Sequence, residues 1–162
     1  MTIAAPMKRR AMIIYTLDRP GVLNKISMLI RRKMYNVETI TACKTHRPGI
    51  SRITLTLRED RDDKMTQVIR QVEKMTEVIA AKELDIDQSF WREVAIVKFE
   101  AHGEQFDRLV QDYVFEVLDR QNHELFIVQM AGTSQRIDDF LEAVGRDKIV
   151  EVARSGFTAL EK

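Results

Sequence analysis

Cysteine, proline, glycine and aromatic side chains are all scarce in this chain of 162 residues, which has one Cys, three Pro, six Gly and 7% Phe, Trp and Tyr. The lone Cys43 cannot close an intramolecular disulfide and falls short of a structural zinc site, which fits a reducing compartment. No apolar run approaches the ~18 residues of a membrane span. Charge of one sign is missing too: 26 Lys+Arg stand against 25 Asp+Glu, a net +1, so no long-range field steers the chain to nucleic acid or anionic lipid. The opening MTIAAPMKRR puts its basic residues after a mild stretch, the reverse of a secretory signal. The expectation is a soluble, unexported, cytoplasmic protein with residues 1–7 as a loose tail.

What is present is an ordinary globular composition, 44% hydrophobic and 31% charged, enough for one domain or two small ones. Residues 9–17 carry Met12, Ile13, Ile14, Tyr15 and Leu17 and stop at Asp18-Arg19-Pro20-Gly21, the pattern of a mostly buried strand ending in a turn. From Gly21 the period changes. Val22, Leu23, Ile26, Leu29 and Ile30 recur at helical spacing to about Met34, with Asp18 as a candidate cap and Pro20 as a tolerated first-turn residue. Two Val/Ile/Thr-rich runs follow, joined by Arg47-Pro48-Gly49-Ile50, which suits a type II hairpin turn. A helix over 62–75 with Met65, Val68, Ile69 and Val72 on one face, then a strand over 78–86, complete the order βαββαβ.

The second half repeats that order. Val94–Phe99 reads as a strand, a helix follows from Glu104, strands cover 113–118 and 124–132, Thr133 or Ser134 caps a helix with Ile137, Phe140, Leu141 and Val144 inward, and 149–153 closes the set. The fold class is therefore α+β, two ferredoxin-like βαββαβ domains in tandem over 8–88 and 89–162, each an antiparallel sheet with its helices on one face. The other face of each sheet lacks a helix, so a run as apolar as MIIY argues for a partner and for dimerisation.

Catalytic chemistry is poorly represented. His46, His102 and His123 have no metal-ligand spacing, and there is no G-x-S-x-G, P-loop or G-x-G-x-x-G. No metal site and no catalytic residue are predicted. Cys43 lies mid-strand, where packing is the preferred role over nucleophilic chemistry. Glu59, Asp60, Asp62 and Asp63, interleaved with Arg58 and Arg61, read as a solvated loop. Arg31-Arg32-Lys33 suits the negative end of a helix, and the basic run Lys8-Arg9-Arg10 is cancelled by acidic residues elsewhere. The aromatic strand motif by which ferredoxin-like sheets stack RNA bases is absent. The informative place is D-R-P-G-V-L at 18–23, where N–H groups of Gly21, Val22 and Leu23 at a helix start suit a carboxylate and Asp18 suits an ammonium group. Together they form a receptor for a free α-amino acid; a simple capped turn is the competing reading.

The segment LDRPGVLNKISMLIRRKMYNVETI resembles an ACT domain, and VQMAGTSQRIDDFLEAVG with KIVEVARSG resembles the C-terminal domain of the small regulatory subunits of acetolactate synthase, also called acetohydroxyacid synthase. The resemblance implies a non-catalytic chain that activates a separate large subunit holding thiamine diphosphate, FAD and magnesium, and that confers feedback inhibition, usually by valine, in branched-chain amino acid biosynthesis. It implies an effector site between ACT domains of a homodimer, with Asp18, Gly21, Val22 and Leu23 on one protomer's turn and Asn36, after Tyr35, bridging from the other. An isologous contact makes two such sites.

Three departures from the family pattern matter, one at the helix end and two on that turn. Met34 replaces a common Gly, Val22 a smaller residue, and Pro20 removes an N–H. Leucine or isoleucine as the effector in place of valine is left open, since one methylene changes affinity by only ~1–3 kcal/mol. The alternative reading is a stand-alone ACT-type amino-acid sensor, opposed by the lack of a DNA-reading element; an unrecognised enzyme is opposed by the missing catalytic groups.

Overall fold

The computed structural model describes residues 8–121 and 124–162; the expected tail at 1–7 and His123 lie outside them. Two compact units emerge, one running through Phe90 and including Ala159–Lys162, the other Trp91–Thr158.

The first unit runs β1 (Arg9–Leu17), α1 (Val22–Arg32), β2 (Val37–Lys44), β3 (Ile50–Arg58), α2 (Asp62–Glu73) and β4 (Val78–Leu84). All pairings are antiparallel in the order β2-β3-β1-β4. Alternation decides which face is covered: Met12 and Ile14 of β1, opposite Leu55 and Ile53 of β3, meet Val22, Ile26 and Ile30 of α1 and Met65, Val68 and Val72 of α2 in one buried cluster. Each such side chain contributes roughly 1.5–3 kcal/mol on burial. The β2–β3 hairpin closes as expected, with Gly49 at φ +76° and the Ile50 N–H donating to the Arg47 carbonyl at 3.3 Å.

The second unit comprises β5 (Ser89–Glu100), which straddles the boundary, α3 (Gly103–Asp112), β6 (Glu116–Gln121), β7 (Leu125–Gly132), α4 (Ser134–Val144) and β8 (Ile149–Arg154). Its strand order, β6-β7-β5-β8, repeats that of the first sheet position for position. Thr133 caps α4, its side chain accepting from the Arg136 N–H. The core centres on Phe99, edge-on to Phe140 at 5.8 Å and stacked on Phe126 at 6.0 Å.

A ninth strand, β9 (Thr158–Glu161), pairs with β5 and has no counterpart in the sequence reading. It corrects the inference that a bare sheet face calls for a partner. Ala11 and Ile13 face away from the helices, together with Thr54, Thr56, Arg52 and Lys82 by register, yet Ala11, Ile13, Thr54 and Thr56 are buried within the single chain. The Arg52 guanidinium donates to the Ala159 carbonyl, and Lys82 pairs with Glu161. A segment of the same chain lies on this face, so MIIY by itself no longer argues for a second molecule.

Candidate functional site

Strand β1 ends at Leu17, whose N–H donates to Glu77; the Asp18 N–H donates to the Gly49 carbonyl at 2.8 Å, tying the turn to the tip of the β2–β3 hairpin. The chain reverses through Arg19 and Pro20 into Gly21, at φ +84°, ψ −7°, which is the N-cap of α1. Only glycine adopts that left-handed geometry without strain. No side chain caps α1, so Asp18 does not play the capping role expected of it, and Pro20 sits outside the first turn rather than in it. The first N–H groups of α1 have no intrahelical acceptor by construction, and Gly21 and Leu23 are exposed.

Asp18 turns toward the hairpin instead. Its Oδ1 accepts from Ser51 Oγ at 3.1 Å and its Oδ2 lies 3.5 Å from Lys44 Nζ. Lys44 and Ser51 face each other across β2 and β3. Sequence spacing gave no sign of either partner, because a strand pairing 33 residues away brings Ser51 to Asp18.

The Val22 side chain is buried in the core cluster that includes Met12 and Ile14, so only its backbone N–H belongs to the turn's outer surface. Asp18, Gly21, Val22 and Leu23 thus share one turn. Asn36 does not join them: it precedes β2, whose far end at Lys44 is the one beside Asp18, and eight residues of strand span roughly 25 Å.

Met34 has φ 60°, the one positive φ at a non-glycine among the described residues. It is the left-handed residue just past the C-cap in a Schellman closure of α1, with the Tyr35 N–H donating to Ile30 and the Met34 N–H to Arg31. The glycine-favouring geometry persists with methionine in place.

Two other expectations are corrected. Cys43 is exposed on the edge strand β2, not packed. Glu59 is buried, not solvated: it accepts from the Arg61 N–H at 3.0 Å and from Tyr35, bonds that hold its carboxyl below the ordinary carboxylate range, the Arg61 bond most of all. Arg10 is buried and bridges Glu83, at 2.6 and 2.9 Å, to Asp62 at 2.7 Å. Arg9 pairs with Glu38 at 2.7 Å, so acidic partners do cancel this basic run.

Among the described residues no group of three His, Cys, Asp or Glu side chains is placed to hold a metal. His102 Nδ1 lies 3.1 Å from Glu124 Oε1, and His46 is exposed in the hairpin loop. An open cleft of about 460 Å³ is lined by Leu29, Arg32, Lys33, Gln71 and Lys74, and another of about 520 Å³ by residues of α3 with Ala143 and Lys148. Neither includes Asp18 or Gly21. Among the described residues no helix is long and apolar enough to cross a membrane.

A family model described as the AHAS small subunit-like ACT domain matches residues 12–80, and one described as the small subunit of acetolactate synthase matches residues 92–162. The acetolactate synthase isozyme 3 small subunit of Salmonella typhimurium is 33% identical over 159 residues, covering 95% of this chain and 96% of that one. A probable acetolactate synthase small subunit of Methanothermobacter thermautotrophicus is 31% identical over 151 residues, covering 89% and 87%. The crystal structure of the acetolactate synthase small subunit from Thermotoga maritima superposes with a TM-score of 0.88 over 96% of this chain and 98% of that one, at 22% identity, and so shares its fold. With both halves matched in order and relatives aligned nearly end to end, the chain belongs to the acetolactate synthase small subunit family and carries that family's ACT domain in its first half.

Proposed function

We propose that this chain is the non-catalytic regulatory subunit of a cytoplasmic acetolactate synthase. It binds a separate large subunit, which holds the thiamine diphosphate, FAD and magnesium, raises that subunit's activity, and confers feedback inhibition by a branched-chain amino acid, valine first. The effector's carboxylate meets the N–H groups of Gly21, Val22 and Leu23; its ammonium meets Asp18; Asn36 of a second protomer closes the site.

One observation carries this reading. Strand β2 is the free edge of its sheet, with Asn36 at one end and the Asp18 corner beside its other end. Antiparallel pairing of β2 with β2 of a second copy reverses the two ends, so that each Asn36 comes beside the partner's turn. The separation of Asn36 from Asp18 within one chain is what such a two-fold site requires. An edge strand carrying Val37, Thr39, Ile40 and Thr41, with Ile40 exposed, favours the pairing as well.

Effector binding across that seam biases the arrangement that activates the large subunit, a coupling of ~1–3 kcal/mol that is reciprocal by linkage. Isothermal titration of valine, leucine and isoleucine into the purified chain, followed by kinetics of the reconstituted holoenzyme, tests the proposal. Saturable binding near one ligand per chain together with activation of the large subunit supports it. Effector response without any change in large-subunit activity favours a stand-alone sensor instead.

A further inference from the structure

We infer that Lys44 is a built-in competitor for the effector's ammonium group and sets the concentration at which the turn responds; this rests on the effector site proposed above. Asp18 is already engaged on both oxygens, by Ser51 Oγ at 3.1 Å and by Lys44 Nζ at 3.5 Å. A lysine ε-ammonium and the α-ammonium of an amino acid carry the same charge and the same three donors, so they seek the same carboxylate oxygen. The backbone holds that carboxylate over the hairpin corner, because the Asp18 N–H is fixed on Gly49 and Lys44 stands directly opposite Ser51 in the strand register.

The two engagements differ in kind. Ser51 is a neutral donor and orients Asp18 without cancelling its charge, whereas Lys44 neutralises it. The Lys44 side chain is 83% exposed, so it leaves the carboxylate for water without stranding a buried charge. Exposed pairs of this type are worth a factor of about 1.5 to 5 in an equilibrium constant. An incoming ammonium group displaces Lys44 and loses that factor; removing Lys44 returns it.

Titration of valine, leucine and isoleucine into the full-length wild type, Lys44→Gln, Asp18→Asn and the double variant tests the inference, with thermal unfolding as the check on folding. Expected is binding about two- to fivefold tighter in Lys44→Gln than in wild type, binding weakened but measurable at raised ligand concentration in Asp18→Asn, and no further gain from Lys44→Gln in that background, where a neutral amide no longer holds the lysine. Unchanged or weaker binding in Lys44→Gln, with the wild type binding normally, overturns the competitor role and leaves the effector site standing. A gain that persists in the Asp18→Asn background overturns it as well, since it then reflects a general loss of positive charge. Absence of heat in every protein with all three amino acids overturns the effector site itself and the competitor role with it.

Discussion

The Arg154 guanidinium of β8 meets the Glu93 carboxylate of β5 through two hydrogen bonds, Nε to Oε2 at 3.0 Å and Nη2 to Oε1 at 2.6 Å. The first unit has the same device with charges exchanged, Arg10 of β1 gripping Glu83 of β4. Each also reaches an Asp on the helix that precedes the last strand, Asp138 or Asp62. The ion pair joins strands at equivalent places in the two sheets, with its polarity reversed. Glu93 is 3% exposed, so Arg154→Ala strips the two guanidinium hydrogen bonds from a buried carboxylate and costs about 3–5 kcal/mol by urea unfolding. Replacing both residues with methionine is expected to cost much less, because no charge is then stranded.

Burial pushes the Glu38 carboxyl up, but hydrogen bonds from Arg58 at 2.5 Å and Arg9 at 2.7 Å outweigh it and hold the group below its usual value. A folded-state pKa below the unfolded one gives stability that is present above about pH 4.5 and is lost as pH falls through the folded value. Urea midpoints for wild type and Glu38→Gln should therefore differ at pH 7 and draw together as the pH falls below the ordinary glutamate range. A constant difference across that range would show that the glutamate acts through packing.

Met34→Gly is expected to stabilise the chain by about 0.5–1 kcal/mol. The left-handed geometry costs a methionine ~1–2 kcal/mol, glycine's added chain entropy returns part of that, and the Met34 side chain, 89% exposed, has little packing to lose. Thermal unfolding reads the gain, and Met34→Ala, which keeps a Cβ, serves as the control without one.

Gly21→Asp is expected to abolish effector binding. A Cβ there meets nothing within 4 Å, so the new carboxylate has room to stand at the helix start and repel that of the ligand. The positive φ makes the variant about 1 kcal/mol less stable than wild type, and circular dichroism should show the native fold. Normal valine affinity in a folded variant would remove this turn from the site.

Neighbouring residues of β9 should respond in opposite ways. Ala159 is buried and Leu160 is 67% exposed. Ala159→Asp is expected to cost about 2–4 kcal/mol by placing an unpaired charge under the strand, and Leu160→Asp close to nothing. Equal effects in thermal melts would mean that β9 does not lie on the sheet.

The parts of the fold legible in the sequence are those written in short-range pattern. The periods of Val22, Ile26 and Ile30 in α1 and of Met65, Val68 and Val72 in α2, the Pro48-Gly49 turn and the Thr133 cap each need only a few neighbouring residues. What escaped was set by distant ones. Four residues of β9 are too few to show a period, and Asp18 reads as a local cap because Lys44 and Ser51 reach it only through strand pairing. Glu59 looked solvated amid charges, yet the chain turns there and buries it. Of the five proposed effector residues, four fall on one turn as their spacing suggested, while the remoteness of Asn36 appears only in three dimensions.

The inclusion of Ala159–Lys162 in the first unit has a consequence for biosynthesis. A ribosome extends a chain by about 5–20 residues per second and domains fold as they emerge, so the β2-β3-β1-β4 sheet and its two helices can assemble while Trp91–Thr158 is still being made. Arg52 and Lys82 on the face away from the helices then wait several seconds for Ala159 and Glu161 to arrive. During that interval the sheet of the first unit stands without its last strand's contacts.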